Sequence, residues 1–163
     1  MNITVMRIDD RLIHGQIVTK WIDYANAKKI IVVDDKAAGD PMQQMLLKLA
    51  VPSGVKLEIL TKADALKMIQ EDTSSINVLL MVRNPKEANS LLEMGLKVDT
   101  INVGNISNSK SETGRKKMLD FIYLEQQDVE ELQSIGAKGV TLEIRAIPTD
   151  RSKDILELIK KHY

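Results

Sequence analysis

Short runs rich in β-branched residues alternate with amphipathic stretches along almost the whole chain. Residues 3–8 read as a first strand and end in a polar loop, 9–15. After it, Ile17, Val18, Trp21, Ile22 and Ala25 recur at helical spacing and predict a helix with one apolar face. Residues 30–33 predict a second strand. Asp40 as cap and Pro41 at the first position then open a helix. Met42, Met45, Leu46 and Leu49 share one stripe of that helix, the face expected to be buried. Residues 55–60 predict a third strand, Thr61 the cap of a helix carrying Leu66 and Ile69, and residues 76–82 a fourth strand. Asn84, Pro85 and Glu87 supply cap, first position and capping-box acid for the next helix, which Gly95 follows.

Residues 100–103 predict strand five, and there the alternation breaks. Residues 104–114 (GNISNSKSETG) form a polar loop without helical periodicity. Residues 118–124 predict a sixth strand, 126–135 a helix stopped by Gly136, 140–147 a seventh strand, and 151–161 a final helix. The expected fold is a three-layer α/β/α domain covering 1–163. Its open sheet is mainly parallel, has about seven strands, and has one antiparallel strand near the C-terminal edge. Ligands of such sheets bind beyond the C-terminal ends of the strands, where the connection order reverses. That rule selects the loops at 9–15, 34–40, 83–84 and 104–114.

Composition narrows the function. The 163 residues carry 23 basic and 23 acidic side chains, so no net charge draws the chain to nucleic acid or anionic lipid. Five aromatic residues are too few for base-stacking platforms. There is no cysteine, which excludes disulfides and thiolate chemistry. No signal-like N-terminus and no apolar run long enough to cross a bilayer is present, so a cytoplasmic protein without membrane insertion is expected.

Two histidines occur. His162 is penultimate and reads as a solvated helix-end residue. His14 lies in the first strand–helix loop beside Gly15, with Arg11 three residues earlier. An arginine fork and a helix N-terminus together favour phosphate oxygens. An imidazole, ordinarily titrating near ~6.5, is largely neutral at cytosolic pH and accepts a phosphoryl group reversibly. The bland alternative is a histidine that ties the loop to a backbone carbonyl. Asp9 and Asp10 admit three readings: loop caps or partners of Arg7 and Arg11, an orienting acceptor for the imidazole, or half of a magnesium site as in receiver domains. The last fails, because a receiver needs an aspartate after strand three and this chain has Leu60, Thr61 and Lys62 there. Asn105 and Ser107 are candidate phosphate donors if the loop after strand five reaches the site. Gly104 reads as a structural turn residue.

The run from Arg7 to Gln16 (RIDDRLIHGQ) resembles the active-site signature of the IIB components of the mannose–fructose–sorbose phosphotransferase family. Val103-Gly104 and Ile147-Pro148-Thr149-Asp150 extend the likeness over essentially the whole chain. The resemblance implies that His14 accepts phosphate on Nδ1 from a phospho-IIA protein and passes it to a sugar carried by the membrane IIC and IID components. Arg11 assists, and Asp9, Asp10, Gly15 and Gln16 support. It implies no metal or other cofactor, and a cytoplasmic protein recruited peripherally to the permease. A rival from another class is a regulatory module that binds a nucleotide or sugar phosphate without chemistry. Against it, neither G-x-G-x-x-G after strand one nor G-x-x-x-x-G-K-[ST] is present.

Overall fold

Side chains of a parallel strand alternate between two covered faces, which is why the apolar runs of this chain are nearly continuous. A computed structural model describes residues 1–110 and 114–163. Along the chain stand β1 (Asn2–Asp9), α1 (Gly15–Ala25), β2 (Lys29–Val33), α2 (Asp35–Ala38), α3 (Pro41–Ala50) and β3 (Lys56–Leu60). Next are α4 (Lys62–Glu71), β4 (Asn77–Val82), α5 (Pro85–Glu93), β5 (Thr100–Asn105) and a 3-10 turn, Asn108–Lys110. The chain ends with β6 (Lys116–Leu119), β7 (Ile122–Leu124), α6 (Gln126–Ala137), β8 (Thr141–Ile144), β9 (Lys153–Asp154) and α7 (Ile155–His162).

Seven strands form one sheet in the order β3-β2-β4-β1-β5-β8-β9, as the alternation implied. The pairs are parallel except β8 with β9 at the edge. Connections from β1 to β2 and on to β3 run toward one edge, and those from β3 to β4, β5 and β8 run toward the other. Right-handed crossovers then put α1–α3 on one face and α4–α6 on the opposite face. The core divides accordingly. One apolar cluster joins Val18, Trp21, Ile22, Ala37 and Leu47 to Ile30, Val32, Leu79 and Met81. The other joins Ala65, Leu91, Leu132 and Ile159 to Met6, Ile8, Val33 and Leu80. The connection order reverses between neighbouring β1 and β4, so the crevice of this fold opens between the loops that follow them.

Several expectations from the pattern are corrected. The stripe of α3 points outward: Met42, Met45, Leu46 and Leu49 are 68, 57, 60 and 80% exposed, and only Leu47 of the helix is buried. The reason lies on the inner side. Gln44 donates its side-chain amide to the carbonyls of Ala37 and Ala38, both at 2.9 Å, completing the C-terminal end of α2 while Leu47 enters the core. Full burial of one such Met or Leu is worth roughly 1.5–3 kcal/mol, and α3 forgoes most of it. The expected sixth strand is a hairpin, β6 with β7, forming its own two-stranded sheet. Gly136 lies inside α6 rather than ending it, and its missing side chain makes room for Leu156 of α7, whose Cδ1 would stand 2.6 Å from a Cβ there. The edge strand β9 and the cap Asp154 delay the last helix to Ile155. Residues 111–113 of the expected loop 104–114 lie outside the described residues. No helix among those described is long and apolar enough to cross a membrane.

Candidate functional site

The loop after β1 is built on Asp9. Its Oδ1 accepts from the Arg11 backbone N–H at 3.0 Å, and its carbonyl accepts from Leu12 N–H at 2.9 Å, closing a turn. Leu12 takes φ +59°, a left-handed conformation costing about 1–2 kcal/mol for a side-chain-bearing residue. It is held there because its side chain, 1% exposed, is packed in the cluster under α1. His14 follows in extended backbone (φ −134°, ψ 97°) as the N-cap of α1, its carbonyl accepting from Ile17 and Val18. Its exposed imidazole makes no capping bond. Gly15, at φ +34°, opens the first turn, where the earliest N–H groups fall outside the helical ladder.

Arg11 is aimed by a fork. Its Nε donates to Asp9 Oδ1 and its Nη2 to Asp9 Oδ2, both at 3.1 Å, which leaves the third nitrogen for an incoming anion. The same carboxylate is gripped from below by Arg7, whose Nη2 lies 3.2 Å from Oδ2. Arg7 is buried in a strand interior, where it also donates to Asn102 Oδ1 (2.6 Å) and to the carbonyls of Arg145 (3.0 Å) and Ala146 (3.2 Å). Burial pushes its guanidinium down to about 10, against the pull of Asp9, so it stays charged at neutral pH. Arg7, Asn102 and Glu143 lie in register across β1, β5 and β8. Asn102 donates to Glu143 Oε1, and Arg145 forks onto Glu143. Trp21 covers the row, with Arg7 4.8 Å from its ring centre and its own Nε1 donating to Ala146 O.

Asp10 has a different task. Its Oδ1 accepts from Asn105 Nδ2 at 2.8 Å, and its Oδ2 accepts from Ser107 N–H at 2.8 Å and from Ser107 Oγ at 2.6 Å. It thereby fastens the loop after β5 to the loop after β1. Arg83, in the loop after β4, forks onto Asp34 at 3.2 Å and reaches the Asp10 carbonyl at 3.4 Å. Four loops at the C-terminal edge are joined in this way. Replacing Asp10 with alanine is expected to cost about 2 kcal/mol, since it takes the acceptor from three donors, of which only Ser107 Oγ has another partner, Ser109 Oγ at 2.9 Å. Denaturant unfolding should show that loss, and amide exchange at Ser107 should speed up. An unchanged midpoint and unchanged exchange would show that Asp10 is not the clamp.

Asp9, Arg11, His14, Gly15 and Gln16 thus share one loop and helix start. Asn105 and Ser107 reach that loop, but the donors described go to Asp10. Among the bonds of the described residues, Asp9 accepts from Arg7 and Arg11 and Asp10 from Asn105 and Ser107, and neither accepts from the His14 ring. His162 stands at the end of α7, where its carbonyl accepts from Lys116 Nζ. The pattern reading gave no role to Asn102 or Glu143, offered Arg7 only as a partner of the loop aspartates, and took Gly104 for a turn residue. A signal was available: Arg7 between Met6 and Ile8, and Asn102 between Ile101 and Val103, are polar residues inside runs whose neighbours are buried. Such residues need partners, and their placement on adjacent strands supplies them.

Beside the loop, a cleft of about 370 Å³ is lined by Asp10, Lys36, Gln43, Arg83, Asn84, Ile106 and Arg115. It occupies the crevice at the β1/β4 reversal. A larger cleft of about 610 Å³ lies at the other end of the sheet, along Met1, Ile3 and residues 95–100, and holds neither histidine.

A family model described as "PTS system sorbose subfamily IIB component" matches residues 3–163. The chain is 35% identical over 161 residues to the fructose-specific EIIB component of the phosphotransferase system of Bacillus subtilis, covering 98% of this chain and 97% of that protein. It is 32% identical to the mannose-specific EIIAB component of Escherichia coli K12, of which it spans 49%. Among solved structures, the IIBSor domain of the sorbose permease of Klebsiella pneumoniae superposes with a TM-score of 0.92 at 30% identity, covering 100% of this chain and 99% of that one.

Proposed function

The chain belongs to the sorbose-subfamily IIB components of the phosphotransferase system, phosphotransferases that accept phosphate from a IIA protein and transfer it to sugar, and we propose that it carries that phosphate on His14. The observation that carries this reading is an exposed imidazole at the start of α1, in the same short loop as an arginine already oriented by Asp9. In the first step a P–N bond to the donor histidine breaks as a P–N bond to His14 Nδ1 forms. In the second that bond breaks as a P–O bond to a sugar hydroxyl forms, and the hydroxyl proton is released.

Phosphoryl transfer passes through a loose transition state with charge on the equatorial oxygens, so positioning and fixed positive charge supply most of the catalysis. Arg11 would hold the phosphoryl oxygens with its free Nη1 while Asp9 fixes its plane. Gly15 and Gln16 would offer backbone N–H groups, and Gly15 puts no side chain in the way. Asp10, with Asn105 and Ser107, would shape the rim from the loop after β5. The donor in this reading is a phospho-IIA protein on a separate chain, and the acceptor a sugar held by membrane IIC and IID components. The protein would work in the cytoplasm, recruited peripherally to the permease, as one domain over 1–163 and without a metal or organic cofactor. The regulatory-module alternative is not favoured by membership in a phosphotransferase family.

The test is incubation with phosphorylated IIA followed by peptide mapping. Label is expected on His14, lost in acid and kept in base. Label on another residue, or none, overturns the assignment. Arg11→Ala is expected to slow transfer by on the order of 10²–10³ with the fold intact, because its side chain lies at the surface end of the network. Unchanged single-turnover rates would remove Arg11 from the mechanism.

A further inference from the structure

Among the described residues Arg7 is the largest fully buried charged side chain, 1% exposed, and no step of the relay uses it directly. Stability alone is a weak reason for it. A buried guanidinium is costly to desolvate, and a well-packed apolar residue of similar volume often serves a fold as well or better. Its partners point to another reason. Nη1 donates to Asn102 Oδ1 and Arg145 O, and Nη2 donates to Ala146 O and Asp9 Oδ2. Three of these four acceptors belong to β5 and the segment after β8, so the guanidinium is fixed from behind. The fourth is the carboxylate that aims Arg11.

The charges around the loop show what Arg7 adds. Asp9 and Asp10 are both buried in the loop that carries His14. Asp10 makes no ion pair among the described residues, and its donors, Asn105 and Ser107, are neutral. Nearby, Arg145 balances Glu143, Arg83 balances Asp34, and Arg115 is paired with Glu125 and Asp128. Lys36 and Asp35 are exposed, where water and salt screen them. That leaves Arg7 and Arg11 against Asp9 and Asp10. Without Arg7 the loop would be net negative, and Asp9 would offset Arg11 alone. A phosphoryl group, itself close to doubly negative at neutral pH, would then meet repulsion at its acceptor. Burial strengthens the effect. Arg7, Asp9, His14 and Trp21 line one crevice under α1 that has no room for a water molecule, so solvent does little to screen these charges from one another.

We propose that Arg7 is a positioning residue for phosphoryl transfer: its buried charge offsets Asp9, so that this carboxylate aims Arg11 without cancelling it. The inference rests on the relay reading above. Arg7 acts through Asp9 and Arg11, and Arg11 alone meets the phosphoryl oxygens.

The test is a double-mutant cycle of Arg7→Gln and Asp9→Asn, with Arg7→Lys as the variant that keeps the charge but not the fork. Each protein is used below its own melting midpoint. Labelling of His14 is followed in single turnovers with phosphorylated IIA at varied concentration, and with phosphoramidate, a small donor that needs no docking. Arg7→Gln is expected to lower the saturating rate on the order of 10²-fold with both donors. KM for IIA should stay within about twofold of the parent, because Arg7 lies beneath the surface. Arg7→Lys should recover at least about tenfold of the lost rate. In the Asp9→Asn background, itself expected to be slow, Arg7→Gln should cost no more than about threefold, since no carboxylate remains to be offset. A parental rate in Arg7→Gln, a loss carried by KM, Arg7→Lys as slow as Arg7→Gln, or equal costs in the two backgrounds overturns the proposal and leaves the relay reading standing. If Arg7→Gln does not fold, Arg7→Lys and the pair in the Asp9→Asn background decide. A Lys rate within about tenfold of the parent and a small cost in that background support the proposal, and a larger loss in either overturns it. Absence of label on His14 in the parent overturns the relay reading and this one with it.

Discussion

Changing His14 to alanine is expected to abolish acceptance of phosphate from phospho-IIA while leaving thermal stability within about 0.5 kcal/mol of the parent. The two halves of this result have separate origins. Nucleophilic chemistry has no fallback, because the other histidine stands at the end of α7, and a neighbouring carboxylate does not form a phosphoramidate. Stability is spared because the imidazole is exposed and makes no capping bond to α1. The cap function of residue 14 is performed by its backbone carbonyl, which alanine keeps. Mass spectrometry of the labelled protein and a melting curve check both halves. Residual labelling in the variant would move the phosphate carrier elsewhere, and a large loss of stability would give His14 a structural part that its surroundings do not indicate.

Much of this arrangement was readable before the structure. The position of His14 followed from strand, loop and helix signals that agreed with one another, and Arg11 was close enough in sequence to be tied to it. Local spacing reports such pairs well because the chain between them is short. What it did not report were partners brought together by the sheet. Asp9 was legible as a loop carboxylate, but its double engagement by Arg7 and Arg11 depends on β5 and β8 placing Asn102 and the carbonyls of Arg145 and Ala146 under Arg7. In the same way, Asn105 and Ser107 were read as free donors near the site, while the structure assigns them to Asp10 across 95 and 97 residues of sequence. The α3 error has another cause. Helical periodicity finds a stripe but not the direction it faces, and here Gln44 and Leu47 decided the direction. Apolar spacing reports burial only when nothing else on the helix has a stronger reason to turn inward.

The strongest consequence of that hidden network concerns Gly104. Strand β5 pairs Val103 with Ile8 and Asn105 with Asp9, so Gly104 is an extra residue in the ladder, a bulge at the end of β1. The bulge, without a side chain, is where the guanidinium of Arg7 lies: a Cβ on residue 104 would stand 2.0 Å from Arg7 Cζ and 2.2 Å from Nη1. The atoms in the way cannot swing aside cheaply, because Arg7 is 1% exposed and bonded to Asn102, Asp9 and two carbonyls. Gly104→Ala must therefore expel a buried, paired cation and leave its partners short of donors. A loss of about 3–5 kcal/mol is expected, or a melting temperature lower by roughly 10 °C in a chain of this size. Labelling of His14 should slow as well, since Asp9 then holds Arg11 without its counterweight. The cause can be separated from simple crowding by a double-mutant cycle. In an Arg7→Ala background the clash has nothing to act on, so Gly104→Ala should cost at least ~1–3 kcal/mol less than it does alone. Equal costs in the two backgrounds would mean that Gly104 serves the bulge for its own backbone and not as the seat of Arg7.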